Sequence, residues 1–351
     1  MPIAVDAMGG DYAPQCAVEG ALRAAADDGA SILLVGDRTR LEAELARHGG
    51  FRNAQEKGGR VEIVHAEEVV GMDEPAITPI RKKRRSSIRI CAELVKGGQA
   101  QAMVTAGNTG AAMIVAKMVI GTVPGVDRPA LAAVFPNAKG RTVVLDVGAN
   151  VDSKPEHLRE FAVMGHFYAQ EVIGTQKPRI GLMSIGEEEG KGTDLTREVF
   201  KVLKTTGLNF VGNVEGRDVF NGSVDVIVCD GFVGNVVLKS AEALAELMGR
   251  MLREELGRTV LAKLGYLLSK SAFTRFRQRV DYTEYGAAPL LGINGGCFIG
   301  HGRSNARAIQ SAIRRAVEFS TAQLDRKIRD KLAELHSQEA RLLGQQKGSA
   351  G

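Results

Sequence analysis

The chain has 351 residues and contains no tryptophan, and aromatic residues make up only 5% of it. Because single-stranded nucleic acids are commonly bound by stacking bases on aromatic side chains, this scarcity counts against a nucleic-acid-binding protein. The four cysteines, at positions 16, 91, 229 and 297, are too widely spaced for a CxxC or zinc-knuckle motif. A disulfide framework is not expected at this chain length, so we expect a reducing, cytoplasmic compartment.

Long apolar runs are also absent. No run reaches the roughly 18 residues that a membrane-spanning helix needs. Asp6 lies where a signal peptide would carry its apolar core, so no secretion signal is predicted. With 44% hydrophobic and 25% charged residues, the composition is that of an ordinary globular protein and excludes disordered and fibrous classes.

Glycine, in contrast, is abundant, with 42 residues against 10 prolines, which indicates many tight turns. Short runs of Val, Ile and Leu, such as 31–35, alternate with longer segments of helical character. This alternation predicts an α/β protein with three αβα layers and a mainly parallel sheet. A hairpin is predicted around 137–140 and a helix over 81–96. We expect a single large catalytic domain over 1–343, a helical protrusion at about 240–285 and a disordered tail at 344–351.

The loops that follow the predicted strands are unusually alike. Each combines glycine with Asn, Asp, Lys or His, and the seven loops cover 6–11, 105–110, 146–150, 186–192, 212–218, 230–235 and 295–305. Ligands of parallel α/β sheets bind beyond the carboxyl ends of strands, where glycine lets backbone amides approach an anion. Neither GxGxxG nor GxxxxGK[ST] is present, so the loops favour a phosphate-like ligand without a standard nucleotide fingerprint.

Acidic residues in these loops have a simpler interpretation. Asp6, Asp146 and Asp230 each end a predicted strand, and we expect them to cap a helix or hold a loop rather than to act in catalysis. The run of glutamates at 187–189 is interpreted as a solvated acidic cluster rather than a metal site. No metal or other cofactor is predicted.

Nine motifs, in order along residues 1–320, identify a family resemblance. They are DAMGGDYAP (6–14), TAGNTGA (105–111), RPAL (128–131), LDVGANVD (145–152), IGEEEGKG (185–192), GNVEGRD (212–218), DVIVCDGFVGNVVLK (225–239), DYTEYGAAPLLGINGG (281–296) and HGRSNARAI (301–309). Together they resemble the phosphate acyltransferases of bacterial phospholipid synthesis. Two positions differ from the family pattern, with Thr105 in place of a serine and Arg303 in place of a small residue.

The resemblance implies a fold similar to isocitrate/isopropylmalate dehydrogenases and phosphotransacetylases, and a homodimer. It also implies transfer of an acyl group from acyl-[acyl-carrier protein] to inorganic phosphate. The resulting acyl phosphate would feed a membrane glycerol-phosphate acyltransferase. This chemistry is a direct attack of phosphate on the thioester, which requires no nucleophilic serine or cysteine.

Site residues follow from the motifs. The predicted catalytic residues are Lys191, which adds positive charge near the phosphate, and Asn235 and His301, which face the oxyanion or the leaving sulfur. An alternative interpretation of His301, given the same weight, is that its side chain only caps a turn. The predicted phosphate ligands are Gly9, Gly10, Asn108 and Thr109, with Asn150, Asn213 and Asn305 as further candidates, since an amide donates a hydrogen bond without titrating.

Two basic segments suggest partners. Residues 81–85 read RKKRR, and this run is either a solvated helix face or, through Arg84 and Arg85, a docking helix for the acidic carrier protein. Residues 250–279 hold eight basic and two acidic side chains around an apolar helical stripe. Leu264 and Leu268 of that stripe are predicted to contact an anionic membrane, with a dimer interface or core packing as the alternatives.

Three other functions remain open at this level. A phosphotransacetylase that uses acyl-coenzyme A would need the same loops. An NAD-dependent hydroxy-acid dehydrogenase can be built on a related fold, although its metal-binding carboxylate pattern is not evident. A nucleic-acid-binding protein would use the two basic segments, but no known recognition motif supports it.

Overall fold

The computed structural model describes residues 1–48, 58–280 and 287–348. Within these ranges the strands form one sheet of eleven, in the order β3-β2-β1-β4-β11-β10-β5-β6-β9-β7-β8. The strands are β1 (Ile3–Asp6), β2 (Ser31–Gly36), β3 (Arg60–His65), β4 (Ala102–Thr105), β5 (Ala130–Pro136), β6 (Arg141–Leu145), β7 (Ile180–Met183), β8 (Phe210–Val214), β9 (Val226–Val228), β10 (Ala288–Leu291) and β11 (Gly296–Ile299).

Helices connect most of these strands. They are α1 (Gln15–Asp28), α2 (Arg38–Arg47), α3 (Thr78–Arg81), α4 (Ser87–Lys96), α5 (Thr109–Val115), α6 (Pro155–Tyr168), α7 (Asp194–Lys204), α8 (Asp218–Asn221), α9 (Gly231–Arg258), α10 (Val260–Leu268), α11 (Lys270–Val280), α12 (Ala306–Thr321) and α13 (Leu324–Gly348). Single π-helical segments, Ala116–Ile120 and Ala169–Ile173, extend α5 and α6. None of the described helices has an apolar stretch long enough to cross a bilayer.

The sheet consists of two parallel halves that are joined by antiparallel strands. Strands β2, β1, β4 and β11 run parallel to one another on one side, and β6, β9, β7 and β8 do so on the other. Between them β10 pairs antiparallel with both β11 and β5, and β5 pairs antiparallel with β6. The predicted α/β class with a mainly parallel sheet is therefore confirmed.

Strand β5 shows how the layers arise. Leu131, Ala133 and Phe135 join one buried cluster, whereas Ala130 and Ala132 join another on the opposite face of the sheet. Because successive strand residues point to opposite faces, both faces of this continuously apolar strand need a covering layer. Helices supply these layers, with α4 and α5 contributing to the first cluster and α6 and α7 to the second.

Several local predictions can be compared with the structure. The hairpin around 137–140 is confirmed by the pairing of Phe135 with Thr142. The helix predicted over 81–96 is wrong at its start, because α4 begins only at Ser87 and Lys83 is tied to the Val69 carbonyl in the preceding turn. No sequence pattern above predicts β10 and β11, which lie on either side of a glycine-rich turn.

The segment from α9 to α11 differs from the rest of the chain in its exposure. Helix α10 has no buried residue, and Leu264 and Leu268 are 52% and 80% exposed. The core-packing interpretation of this stripe is therefore wrong. At the other end of the chain, α13 continues to Gly348, where the sequence predicts a tail from residue 344. The residues there, GQQK, include good helix formers. Residues 349–351 lie outside the described ranges.

Candidate active site

Loops after three neighbouring strands, β1, β4 and β11, pack directly on one another. A Cβ atom on Gly9 would lie 2.8 Å from the backbone nitrogen of Gly107. Gly10 has a φ of +97°, which favours glycine, and the Asp11 amide donates to the Gly302 carbonyl over 2.8 Å. These glycines are therefore required by the close approach of the three loops, and their predicted contact with phosphate stays a prediction.

Asp6 holds this first group of loops together. Its buried carboxylate accepts hydrogen bonds from Thr105 Oγ1 at 2.7 Å and from the Met8 amide at 3.2 Å. Burial raises the pKa of Asp6, and hydrogen bonds from Ser87 and Thr105 oppose that shift. Thr105 also accepts from the Gly107 amide, so threonine here keeps the hydroxyl of the usual serine. The geometry agrees with the loop-holding interpretation of Asp6.

Asn108 and Thr109 are adjacent in sequence but differ in environment. The Asn108 Oδ1 caps α5 by accepting from the Ala111 amide, and its Nδ2 donates to the carbonyls of Met72 and Glu74, each at 2.9 Å. The Asn108 side chain is thus engaged in organising the loop around 71–74. Thr109 is exposed at the first position of α5, and its side chain makes no hydrogen bond to another described residue.

Asp146 organises a second group of loops, at the carboxyl end of β6. Its fully buried carboxylate accepts from the amides of Leu131 (2.9 Å), Ala149 (3.1 Å) and Asn150 (2.6 Å). Desolvation raises the pKa of Asp146 against these hydrogen bonds. The Asn150 side chain donates to Asp146 and to the Pro129 carbonyl and is buried. Both side chains therefore support the loop that connects β6 to α6.

Helix α9 begins on top of this loop and places Asn235. The Gly231 amide donates to the Asn150 carbonyl over 2.8 Å, and a Cβ atom on Gly234 would lie 1.9 Å from the Asp146 carbonyl oxygen. Asp230 caps the helix by accepting from the Val233 amide, as its capping interpretation predicts. Asn235 is exposed, and its side chain makes no hydrogen bond to any described residue.

His301 and Asn305 lie in the loop between β11 and α12. Asn305 caps α12 by accepting from the Ala308 amide at 3.0 Å. The Nδ1 atom of His301 is placed to accept from the Arg303 amide at 3.1 Å, so the neutral ring carries its proton on Nε2. Within the part of the chain that the structure describes, Nε2 has no partner. His301 therefore combines a turn-supporting contact with an available donor.

Lys191 and Asn213 belong to a third group of loops, after β7 and β8. The Asn213 Nδ2 donates to the Glu188 carbonyl at 2.8 Å, and its buried Oδ1 has no hydrogen-bond partner among the described residues. Lys191 is exposed in the same loop. Nearby, Glu187 pairs with Arg217 and Glu189 with Lys204, which agrees with a solvated acidic cluster. No metal-binding group of three or more side chains occurs in residues 1–48, 58–280 and 287–348.

A cavity of about 1530 Å³ brings part of these predictions together. It is lined by Thr109, Asn235, His301 and Asn305, the four of the ten predicted catalytic and phosphate residues that reach it. The six that do not line it are Gly9, Gly10, Asn108, Asn150, Lys191 and Asn213. The rest of the lining is largely apolar; most of it comes from β5, β10 and α9, with further residues from α11, α12 and the loop after β11.

Basic side chains also line this cavity, and the site predictions above omit them. They are Lys239, Arg275, Arg303 and Arg315. Two sequence signals pointed toward them, since Arg303 replaces a small residue in the HGRSN motif and Arg275 lies in the basic segment 250–279. Lys239 is paired with Glu242 at 2.9 Å, and Arg315 with Glu318 at 2.8 Å. Because Glu242 and Glu246 line the cavity as well, its charged lining comprises four basic and two acidic side chains next to apolar surface.

Arg84 and Arg85 are exposed in the turn between α3 and α4. Arg85 pairs with Glu67 at 2.9 Å, and the Nε atom of Arg84 donates to the Ile80 carbonyl at 3.3 Å. The predicted basic docking helix is therefore wrong as a helix, because both arginines precede α4. Their proposed contact with a carrier protein does not depend on helical structure.

Solved structures of low sequence identity share this architecture. The EutD phosphotransacetylase from Staphylococcus aureus matches with a TM-score of 0.57 and 14% identity, over 91% of this chain and 94% of that one. A phosphotransacetylase from Streptococcus pyogenes matches with a TM-score of 0.58 and 18% identity, over the same shares. The chain is thus an α/β protein whose fold is of the phosphotransacetylase type.

Sequence comparison identifies the family. A family model described as fatty acid synthesis protein matches residues 1–327. The phosphate acyltransferase of Geotalea uraniireducens is 52% identical over 346 residues, which is 98% of each chain, and that of Geobacter sulfurreducens is 53% identical over 95% of this chain and 94% of the other. The chain belongs to this fatty acid synthesis family, whose similar curated members are named phosphate acyltransferase. The family resemblance of the nine motifs is confirmed.

Proposed function

We propose that this chain transfers a fatty acyl group from acyl-[acyl-carrier protein] to inorganic phosphate, which yields acyl phosphate and the free carrier thiol. The observation that carries the proposal is the cavity in which Thr109, Asn235 and His301 share one space with a long apolar surface. The name phosphate acyltransferase, which the curated relatives carry, supports acyl transfer to phosphate. The product would serve phospholipid synthesis through a membrane glycerol-phosphate acyltransferase.

The reaction proceeds by direct attack. A phosphate oxygen forms a bond to the thioester carbonyl carbon, and the carbonyl electron pair moves to oxygen to give a tetrahedral oxyanion. The oxyanion pair then re-forms the carbonyl as the carbon–sulfur bond breaks, and the electron pair of that bond leaves with the carrier thiolate. The thiolate takes up a proton to give the free carrier thiol. Since a thiolate is a fair leaving group, the main tasks of the protein are to hold phosphate beside the carbonyl and to stabilise the oxyanion.

The side chains near the cavity fit these tasks. The unpartnered amide of Asn235 and the Nε2 proton of His301 are donors for the oxyanion or the leaving sulfur. We assign phosphate to the Thr109 hydroxyl, which lines the cavity. The backbone of Gly9, Gly10 and Asn108 does not line the cavity, and its contact with phosphate stays a prediction from the sequence. Asn305 and the buried Asn150 act mainly by positioning their loops, given their hydrogen bonds to the backbone.

The carrier distinguishes this proposal from a phosphotransacetylase. Purified protein is incubated with orthophosphate and either hexadecanoyl-[acyl-carrier protein] or hexadecanoyl-coenzyme A at equal concentration, and acyl phosphate is trapped as the hydroxamate. We expect product from the carrier-protein thioester at the higher kcat/KM. A clear preference for the coenzyme A thioester would favour the alternative, and no product from either substrate would refute acyl transfer to phosphate.

Lys191 is tested separately, because it does not line the cavity. If its charge stabilises the transition state, Lys191→Ala lowers kcat about a hundredfold. Lys201→Ala, which removes an exposed lysine from the neighbouring helix α7, serves as the matched control. Unchanged turnover in Lys191→Ala would show that Lys191 is not part of the active site. It would also argue against a catalytic role for Asn213, whose side chain contacts the same loop.

Carrier docking at Arg84 and Arg85 rests on charge complementarity with an acidic protein. Reversing both charges to glutamate should raise KM for the acyl-carrier protein and leave kcat unchanged. Arg40→Glu, an exposed reversal on α2, is the control. An unchanged KM in the double variant would mean that the run at 81–85 is only a solvated surface.

Membrane contact and dimerisation both concern the exposed stripe of α10. We propose a peripheral contact with anionic lipid through Leu264 and Leu268, and a homodimer in solution. Leu264→Glu combined with Leu268→Glu should abolish co-sedimentation with phosphatidylglycerol vesicles. If the variant pellets as the wild type does, the stripe does not bind lipid. If the variant instead becomes monomeric in sedimentation analysis, the stripe is the subunit interface.

A further inference from the structure

The basic side chains that line the cavity are of two kinds. Lys239 and Arg315 are each paired with a glutamate of their own helix. Arg275 and Arg303 are exposed, and neither makes an ion pair with an acidic residue in the described part of the chain. An anionic ligand in the cavity therefore meets these two cations without competing against a described carboxylate.

Arg303 lies in a loop whose backbone is firmly held. The Arg303 amide donates to His301 Nδ1 at 3.1 Å, and the Ser304 amide donates to the His301 carbonyl at 2.8 Å. The Gly302 carbonyl accepts from the Asp11 amide at 2.8 Å, which ties this loop to the loop after β1. None of these contacts uses the Arg303 side chain. The fold thus fixes the Arg303 backbone beside His301 and leaves the guanidinium without a partner among the described residues.

The groups around the Arg303 loop are mainly hydrogen-bond donors. Helix α12 begins three residues later, and its first turn contains no acidic residue to neutralise the positive end of the helix dipole. The Nε2 proton of His301 and the Thr109 hydroxyl are donors on the same cavity. The Asp11 carboxylate lies against the backbone of this loop, 3.4 Å from the position of a Cβ on Gly302, but Asp11 does not line the cavity. These donors suit an anion with several oxygen atoms.

The guanidinium narrows the chemistry of that anion. It presents a planar fork of N–H donors that binds two oxygens of one phosphate group, and it stays charged at physiological pH. The small residue that the family pattern has at position 303 offers neither the fork nor the charge. Arg303 therefore adds a phosphate-binding group that the motif itself does not supply.

We propose that Arg303 is a specificity-determining residue that binds a phosphate group of one substrate. Two substrates of the proposed reaction carry such a group. One is inorganic phosphate, and the other is the carrier protein, whose thioester arm is joined to the protein through a phosphodiester. The inference rests on the proposed function, because it assigns a residue to a substrate of the same reaction. It requires Arg303 to act in binding and not in the chemical step.

Three variants separate the guanidinium from charge alone. Arg303→Ser gives the position a small residue and keeps the amide that donates to His301. Arg303→Lys keeps the positive charge but loses the planar fork. Arg307→Ser is the matched control, because Arg307 is an exposed arginine of α12 that does not line the cavity. Circular dichroism verifies that each variant is folded.

Binding is first measured without turnover. Orthophosphate is titrated into the protein and its stabilisation is recorded as a rise in Tm, with chloride at equal ionic strength as the reference. In a second arm, calorimetry compares carrier protein with and without its phosphodiester arm. Arg303→Ser should weaken orthophosphate binding, or the preference for the arm-bearing carrier, about tenfold, and Arg303→Lys about threefold. Arg307→Ser should change either value less than about twofold.

Steady-state kinetics then identifies the source of the phosphate group. A raised KM for orthophosphate alone assigns Arg303 to the nucleophile, and a raised KM for the acyl-carrier protein alone assigns it to the arm. In both cases kcat should stay within about twofold of the wild type. Because Arg303 is exposed, raising sodium chloride from about 50 mM to about 500 mM should reduce the effect of Arg303→Ser.

Several results would overturn the proposal. Arg303→Ser might bind both ligands as the wild type does, Arg307→Ser might lose as much affinity, or the wild type might bind neither ligand. A lower kcat with both KM values unchanged would also overturn it, because Arg303 would then act on the transition state. A wild-type protein that binds phosphate but forms no acyl phosphate would instead contradict the proposed function, so the two failures are distinguishable.

Discussion

The loops at the strand ends bury polar side chains, whereas the helical segment formed by α9 and α10 exposes apolar ones. In the loops, polar side chains such as Asp6, Asp146 and Asn150 are buried, and their hydrogen bonds go to the backbone and side chains of the same loops. In the helical segment, apolar side chains such as Met248 and Leu268 remain exposed. Much of what resembles a binding motif in the loops therefore maintains the fold, and surfaces available for ligands occur where side chains are left without internal partners.

The largest effect should follow removal of a loop-holding carboxylate. Asp146→Ala leaves several buried backbone N–H groups without an acceptor, at about 1–3 kcal/mol for each one that water does not reach. We expect the free energy of unfolding to fall by about 4 kcal/mol, measured by urea denaturation. The control Asp230→Ala removes a single helix cap and should cost about 1 kcal/mol. Equal losses in the two variants would contradict a special role for Asp146.

Asn235 and Asn150 sharpen the comparison within one residue type. Asn235→Ala should lower kcat about a hundredfold, equivalent to about 3 kcal/mol of transition-state stabilisation, and change stability by less than about 0.5 kcal/mol. Asn150→Ala should instead destabilise the protein by about 1–3 kcal/mol, because it removes donors from the buried Asp146 and the Pro129 carbonyl. Steady-state kinetics and denaturation separate the two effects. A stability loss in Asn235→Ala together with an activity loss alone in Asn150→Ala would contradict these assignments.

Glu160 is a buried carboxylic acid outside the strand-end loops, and its contribution to stability can be measured through its pH dependence. Burial raises its pKa to about 7, although its Oε2 accepts from the Asp127 amide at 3.0 Å. The folded state thus binds the Glu160 proton more tightly than the unfolded state, whose pKa is near 4.5. This contribution to stability is fully present below pH 4.5 and is lost as pH rises to about 7.

Glu160→Gln should remove that pH dependence, since glutamine mimics the protonated acid and keeps an acceptor for the Asp127 amide. Relative to the wild type, we expect the variant to gain about 1–2 kcal/mol between pH 4.5 and pH 8. Denaturation curves across this range provide the measurement. A difference between the two proteins that does not vary with pH would rule out a raised pKa at Glu160.

The smallest effect on stability should come from the most exposed apolar side chains. Because α10 buries nothing, Leu264→Glu and Leu268→Glu should each change the unfolding free energy by less than about 0.5 kcal/mol. Leu145→Ala, at a fully buried position on β6, should cost about 2–5 kcal/mol. Comparable losses at 264 and 145 would show that α10 is part of a core.

Sequence periodicity predicted the class of fold but not every element of the sheet. Val/Ile/Leu runs such as 31–35 identify buried strands because both faces of a parallel sheet are covered. Strands β10 and β11 are short and separated by glycines, so only tertiary pairing with β5 and β4 defines them. Likewise, Lys83 holds residues 82–86 in turns through a contact with Val69, which no local pattern encodes.

The site was predicted unevenly for a related reason. The motifs identified the loops, and Asn235 and His301 do line one cavity. Motifs alone did not distinguish Asn108 and Asn150, which are consumed by backbone hydrogen bonds, from Asn235, which is not. That distinction depends on residues distant in sequence. The cavity itself was also not predicted, because β5 and α9, which both line it, are about 100 residues apart along the chain. An apolar stripe that faces a cavity has the same periodicity as one that faces a core.

The central claim, direct acyl transfer to phosphate, is tested by a single-turnover experiment with excess protein and hexadecanoyl-[acyl-carrier protein]. Carrier thiol is followed with and without ¹⁸O-labelled orthophosphate, and the intact mass of the protein is measured during the reaction. Direct attack predicts thiol release only with phosphate, labelled oxygen in the acyl phosphate, and no acylated protein. Thiol release without phosphate, or an increase in protein mass by one acyl group, would contradict it.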